Sequence, residues 1–320
     1  MSQDVIAPQI TVIIAAYNCE STIARAITSA LQEPEVGQVI VVDDASGDNS
    51  VAAAKACDDG SDRLLVLQQV SNAGPSAARN RALDATTMPW VGVLDSDDFF
   101  VEGRMATLLA HKDKADFIAD DMWQVSEEDI NGARTALLGE SLTKPLMVDF
   151  EHFVLSNVTN NKRQRNELGF IKPLMRREFL QKHNLRYQEA MRLGEDFELY
   201  ARALALGAKL LLIPTQGYVS VVRSNSLSGQ HSIEDLRHLR DSDNILQQEV
   251  PLNAMQEKAL QQHYKSIDCR LQWRLLIEAV KQRSLSKALC CFRHSWAVRC
   301  YLLHQLLLQS WLRLTGKGPE

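Results

Sequence analysis

Three carboxylates fall within four residues at Asp95-Ser96-Asp97-Asp98, directly after the apolar run Trp90–Leu94. Crowded in this way they repel one another, and a cation relieves the repulsion. Hard oxygen ligands suit Mg2+ or Mn2+, which take one or two carboxylates and fill their remaining positions with water and phosphate oxygens. A solvated turn with capping aspartates would carry the same letters. A second acidic pair, Asp43-Asp44, closes the run Val39–Val42. One of its carboxylates suits a uracil N3–H or a ribose hydroxyl; capping of the next turn is the plainer role. A third pair, Glu195-Asp196, follows Gly194 at a helix start, where acids complement the helix dipole in any protein. A site that binds a metal-diphosphate also needs a base for an incoming hydroxyl, and a carboxylate on its far side can serve.

Cations and turns lie between these acids. In Asn72-Ala73-Gly74-Pro75-Ser76-Ala77-Ala78-Arg79-Asn80 the Gly-Pro step sets a turn, and the helix behind it points its N–H groups outward. Arg79, about one turn in, is placed to reach a phosphate or steady the aspartates, or else to pair with Asp84. Arg223, followed by Ser224-Asn225-Ser226-Leu227-Ser228, could close over a diphosphate. His231 nearby is a further metal candidate, although a lone histidine is more often structural. No Walker loop and no GxGxxG occurs, which removes the main support for an ATPase or a dinucleotide enzyme.

Strands and helices must bring these groups together. Ile10–Ala15, Val39–Val42, Leu64–Gln68 and Trp90–Leu94 read as strands buried on both faces. Helices are expected from Ser21 to Leu31, Ser50 to Cys57 and Pro75 to Ala85. Strand–helix alternation means a parallel sheet, whose ligand lies beyond the carboxyl ends of the strands. Tyr17-Asn18, Asp43-Asp44, Asn72–Gly74 and Asp95–Asp98 fall at four such ends. A further strand is expected at 116–120, a helix from 194 to about 206 closed by Gly207, and strands at 209–213 and 217–222. Residues 126–168 read as loop-rich, with a mobile stretch at 157–166, and everything after about 233 reads as helix.

The composition supports one acidic body with a basic tail. The chain has 320 residues and a formal charge of −5, but residues 270–320 hold nine Lys/Arg against two Glu, a net of +7. The other 269 residues carry 26 basic and 38 acidic groups, a net of −12. General nucleic-acid binding wants a basic face on the main domain, so it is not expected. Six cysteines without C-x-x-C spacing suggest a reducing compartment. The start MSQDVIAPQ does not resemble a secretory signal, and no apolar run is long enough to span a bilayer. A cytoplasmic location is expected.

TVIIAAYN, VVDDASGDNS, NAGPSAARNRAL, LDSDD and GEDFEL, in this order, resemble a GT-A-fold glycosyltransferase of family 2 across about residues 9–230. The N-terminal half is most similar to bacterial exopolysaccharide enzymes of the succinoglycan type. The resemblance implies an α/β fold with a Rossmann-like, mostly parallel sheet. It implies a catalytic domain over 1–230, with the nucleotide-sugar side in 9–100 and the acceptor side and base in 115–230. A helical C-terminal region over 231–320 would follow. It further implies a nucleotide-sugar donor, a UDP-hexose such as UDP-glucose, with Mn2+ or Mg2+ and inversion at the anomeric carbon. The acceptor would be a saccharide, lipid-linked, met at the cytoplasmic face of the inner membrane. By the same resemblance Ala15 and Tyr17 line the base pocket, Asp44 accepts the uracil N3–H, and Arg79 lies near the diphosphate. Asp95 contacts ribose and metal-bound water, Asp97 contacts the metal, and Asp196 is the general base. Asp98, Glu195, Arg223 and His231 are further candidates.

Two other classes compete. A haloacid-dehalogenase-like phosphatase would use an aspartate pair after a buried strand, but Asp98 stands where such enzymes carry Thr or Val. A non-catalytic nucleotide-sugar or membrane-surface module would bind without transfer. In the tail, Phe292, Trp296, Cys300, Leu303, Leu307, Trp311 and Leu314 share one helical face. Two readings stand for it: docking on a bilayer, or packing on the catalytic domain or a second subunit.

Overall fold

The computed structural model describes residues 9–139, 142–158, 167–215, 217–223 and 231–315. The β-branched run Ile10–Ala16 is strand β1, in parallel register with β2 (Val36–Asp43) on one side and β4 (Trp90–Val93) on the other. β3 (Leu64–Gln68) extends the sheet beyond β2. The apolar run serves two faces at once. Ile10, Val12, Ile14 and Ala16 pack with helix α1 (Ile23–Leu31), whereas Ile13 packs on the opposite side with α3 (Pro75–Asp84). The short α2 (Ser50–Lys55) links β2 to β3.

The remaining strands enter out of chain order. β6 (Phe117–Asp120), β9 (Leu146–Val148), β10 (Leu174–Arg176) and β11 (Leu210–Ile213) complete an eight-stranded sheet of order β3-β2-β1-β4-β10-β6-β11-β9. β10 is antiparallel to both neighbours, β4 and β6, and β9 is antiparallel to β11. Beyond the carboxyl ends of β4 and β6 the chain builds a second sheet from β5 (Phe99–Phe100), β7 (Trp123–Ser126), β8 (Thr135–Ala136) and β12 (Tyr218–Val222), ordered β5-β12-β7-β8. The acidic segment 95–98 is the bridge from the first sheet to the second.

A buried ion pair fixes the second sheet. Arg104, in helix α4 (Arg104–Leu109), meets Asp120 at 2.7 Å. Asp120 Oδ2 accepts the backbone N–H groups of Gly217 and Tyr218 at the start of β12. The helices α5 (Phe150–Ser156), α6 (Arg177–Lys182) and α7 (Glu195–Ala205) lie in the middle of the chain. α8 (Ile233–Glu249), α9 (Ala254–Lys281), α10 (Leu285–Cys291) and α11 (Trp296–Leu314) follow. Leu236, Leu239 and Leu246 of α8 and Leu260, Ile267 and Leu271 of α9 join the same core cluster as Ile13 and Tyr200, so this core runs past residue 230. α10 and α11 form a smaller cluster on α9 through Leu276, Cys291, Val298 and Leu302.

The structure refines several expected boundaries. Thr22 rather than Ser21 occupies the N-cap position of α1, without a side-chain capping hydrogen bond, α2 ends at Lys55, and β2 begins three residues before Val39. The stretch read as loop-rich contains β8, β9 and α5. Residues 159–166, within the stretch read as mobile, lie outside the described residues, as does the Ser224–Ser228 segment.

Candidate active site

The ends of β1 and β2 are stitched into one wall. Asn18 adopts a left-handed backbone (φ 47°), its Oδ1 accepts the Gly47 N–H at 2.8 Å, and Ser46 Oγ accepts the Asn18 N–H at 2.9 Å. Asp43 accepts both the N–H and the hydroxyl of Ser46. Ala15 sits at the end of this wall opposite Val42, and Tyr17 projects beside it with 53% of its surface exposed.

Asp44 is buried and already engaged. Its Oδ1 accepts from the Ala73 N–H (2.8 Å) and Gln69 Nε2 (2.6 Å), and its Oδ2 accepts from the Gly74 N–H (2.8 Å). The expected base-edge acceptor is, in this geometry, the anchor of the 72–74 turn. Gly74 takes φ 91°, which only glycine adopts without strain, and Pro75 then starts α3. Ser76 donates to the Met191 carbonyl, and Asn80 both donates to and accepts from the backbone of Tyr187. α3 therefore holds the segment leading into α7.

Arg79 and Lys172 draw the acids together. Arg79 Nη2 lies 2.8 Å from Asp95 Oδ1 and Nη1 lies 2.6 Å from Glu195 Oε1, with Asp196 Oδ1 at 4.0 Å. The guanidinium also covers the Tyr187 ring at 5.4 Å. Asp84, the alternative partner, pairs with Arg186 instead. Lys172 is 7% exposed; its Nζ donates to Asp196 Oδ2 at 2.5 Å and meets Asp95 Oδ2 at 2.9 Å. One ammonium thus joins the acidic segment to the N-terminus of α7. Burial works against the Asp95 carboxylate, but Lys172 and Arg79 more than offset it and hold its pKa down at about 2. Burial also opposes the charge of Lys172, yet Asp196 and Asp95 raise its pKa above the ordinary lysine range. Asp196 Oδ1 is buried without a hydrogen-bond partner among the described residues.

The three aspartates of the acidic segment separate by environment. Asp98 accepts from the Tyr218 hydroxyl and the Val221 N–H, each at 2.8 Å. Burial, reinforced by Asp95 and Asp97, pushes its pKa up to about 8. Asp98, a further candidate by its position, clasps the acidic segment to β12 through these two bonds. The same Tyr218 hydroxyl accepts the Asp95 N–H at 3.2 Å. Asp97 remains about one-third exposed, with Arg223 Nε at 3.7 Å and Arg25 Nη2 donating to its carbonyl at 2.5 Å. Its pKa is raised by burial and then by Asp95. Arg223 also reaches Glu127 at 3.4 Å. His231 lines a separate cleft of the helical region with Leu236, Arg270 and Tyr301.

Among the described residues no group of three His, Cys, Asp or Glu side chains is arranged as a metal cage. Asp97, with Asp95 behind it, fits an ion that takes one carboxylate from the protein and the rest of its shell from diphosphate and water, as Mg2+ and Mn2+ do at nucleotide sites.

The glycosyl transferase family 2 model matches residues 11–183, which includes β1, the Asp44 anchor, Arg79, the acidic segment and Lys172. The chain belongs to glycosyl transferase family 2. This family 2 glycosyltransferase is 43% identical over 281 residues to the succinoglycan biosynthesis protein ExoU of Rhizobium meliloti (strain 1021), covering 87% of this chain and 81% of ExoU. Its fold is that of S. aureus TarS residues 1–349 in complex with UDP-GlcNAc, with TM-score 0.63, 16% identity, and coverage of 88% and 89% of the two chains. It also matches the mannosyltransferase PcManGT of Pyrobaculum calidifontis in complex with GDP-Man and Mn2+, with TM-score 0.58, 15% identity, and coverage of 95% and 87%. Family membership sets aside the phosphatase and the non-catalytic module. Sequence reasoning missed Lys172, Arg25, Gln69 and Tyr218 in this glycosyltransferase. Lys172 had a signal: a single lysine inside the apolar run LGFIKPLM, where a charge is kept only with partners.

Proposed function

We propose that this glycosyltransferase moves a hexose from a UDP-sugar, such as UDP-glucose, to a hydroxyl of a lipid-linked saccharide, with inversion, in surface polysaccharide assembly of the succinoglycan kind. The observation that carries the reading is the single Lys172 ammonium within hydrogen-bond distance of both Asp95 and Asp196. Donor-side and acceptor-side carboxylates then share one cleft, as a direct displacement requires. Tyr17 stacks on the uracil above Ala15, and the 72–74 turn held by Asp44 borders the base; Asp44 adds the N3–H contact through its less occupied Oδ2. Asp95 receives the ribose, and Arg79 together with the N-terminus of α3 faces the diphosphate. Asp97 would hold Mg2+ or Mn2+, which when bound offsets the charge developing on the departing UDP. Asp196 takes the proton of the acceptor hydroxyl on its unpartnered Oδ1 as that oxygen attacks opposite UDP. Lys172 keeps the Asp196 carboxylate turned to the cleft. Inversion needs one base and no carboxylate nucleophile.

The exposed apolar face of α11 and the +7 charge of residues 270–320 support peripheral contact with the cytoplasmic face of the inner membrane. The test is UDP release from a panel of UDP-sugars with Mn2+ or Mg2+, and its loss with EDTA. Asp196→Asn is expected to lower turnover roughly a hundredfold to ten-thousandfold with UDP binding retained. Transfer that survives EDTA and Asp97→Asn would contradict the mechanism.

A further inference from the structure

A cleft of about 340 Å³ opens between α8, α9 and α11. Arg270, Trp273, Arg274 and Ile277 line it from α9, at the spacing that places them on one helical face. Tyr301 of α11 faces them, Leu236 of α8 contributes to the apolar part, and His231 lies just before the Ser232 cap of α8. The described residues that line the cleft include three basic side chains and no carboxylate, although the chain outside residues 270–320 carries a net of −12. Two guanidiniums beside an imidazole suit a phosphate or diphosphate group. The Trp273 and Tyr301 rings suit a sugar or hydrocarbon next to it.

Its neighbours on each side say which anion. Leu236 is one helical turn from Leu239, whose Cδ1 would lie 2.8 Å from a Cβ at Gly194. Gly194 immediately precedes Glu195 and Asp196, so this side of the cleft leads to the base. On the other side Tyr301 belongs to α11, whose Trp296, Leu303, Leu307 and Trp311 are exposed. The order is therefore carboxylate base, cationic cleft, exposed apolar helix. A molecule read along its length in the same order has a sugar hydroxyl, a diphosphate and a hydrocarbon chain.

We infer that this cleft binds the diphosphate of a polyprenyl-diphosphate-linked saccharide, the acceptor. The inference rests on the acceptor reading above and assigns residues to it: Arg270 and Arg274 hold the diphosphate, and Trp273 and Tyr301 flank its first sugar or isoprene unit.

The full chain, saturated with UDP and Mn2+ so that the donor side is filled, is titrated calorimetrically with farnesyl diphosphate, farnesol and inorganic diphosphate. Farnesyl diphosphate is expected to bind and farnesol not to. Arg270→Gln/Arg274→Gln is expected to weaken that binding by about tenfold or more, the scale of charge-assisted hydrogen bonds, with UDP affinity and melting temperature kept. A milder variant, Arg274→Gln alone, changes an exposed side chain and is expected to show a smaller loss in the same direction. Undiminished binding by the double variant, or no binding by the UDP-saturated parent, would overturn the inference. Inorganic diphosphate binding as tightly as farnesyl diphosphate would overturn its lipid part, because the site would then read free phosphate. Failure of the parent to bind UDP would count against the donor reading instead, and farnesyl diphosphate titrated without UDP would still report on the cleft.

Discussion

Lys172 holds two carboxylates that would otherwise repel, and it does so almost out of contact with water. Removing one partner from a buried ionic cluster costs about 3–5 kcal/mol, because the remaining charges stay buried and unpaired. Lys172→Met is therefore expected to lower the melting temperature clearly and to reduce transfer more than tenfold, read by thermal unfolding and by UDP release. A second residue-scale expectation concerns Asp121, whose carboxylate accepts the Leu138 N–H. Burial pushes its pKa up to about 6. Between about pH 4 and 6 the folded chain keeps a proton that the unfolded chain has released, so this group favours folding at low pH. That contribution fades as the pH rises through 6, with a slope of at most about 1.4 kcal/mol per pH unit. Asp121→Asn should flatten the slope in denaturant melts taken across this range. The acids of the site were legible because clustered carboxylates after apolar runs are rare without a purpose. The distinct environments of Asp95, Asp97 and Asp98 were not. They depend on Tyr218, Val221 and Lys172, which lie roughly 75 to 125 positions away.

At the scale of elements, α7 delivers Glu195 and Asp196 because Gly194 turns the chain at φ 79° directly beneath Leu239. A methyl group there would sit 2.8 Å from the leucine Cδ1 in a packed core. Gly194→Ala is expected to destabilise the fold by about 1–3 kcal/mol and to cost more activity than stability, as α7 tilts and Asp196 leaves Lys172. Comparing melting temperature with turnover separates the two effects. The first four strands and α3 were readable from long β-branched runs and the Gly-Pro step. The second sheet was not, for β5 and β8 are two residues each, too short to show any period. β10 was hidden for the same reason; three residues, Leu174–Arg176, carry no alternation. Their pairing is set by tertiary neighbours and by the Arg104–Asp120 pair, which spacing along the chain does not reveal.

At the scale of the molecule, the tail packs on protein along one face and leaves an apolar face exposed along the other. Val298 and Leu302 pack α11 onto α9. Trp296, Leu303, Leu307 and Trp311 stay outside, with Leu307 72% exposed and Trp311 53% exposed. The two tryptophans are about 22 Å apart along the helix, a span suited to a helix lying in a bilayer interface. No helix among the described residues is long and apolar enough to cross a membrane. Leu307→Ser/Trp311→Ser is expected to reduce cosedimentation with vesicles containing anionic lipid several-fold, leaving UDP binding and the melting temperature nearly unchanged. Equal cosedimentation would count against membrane docking.

The antiparallel insertion of β10 also sets an order on synthesis. β1 to β4 are contiguous in the chain and can pair as soon as they are made, but the outer edge of β4 waits for Leu174–Arg176, about eighty residues later. At about 5–20 residues per second that is roughly 4–16 s in which a nascent chain presents an unpaired, apolar strand edge. Lys172 arrives with the segment that closes this edge. Ribosome-bound fragments that end before β10 are therefore expected to be captured by chaperones more than fragments that extend past it.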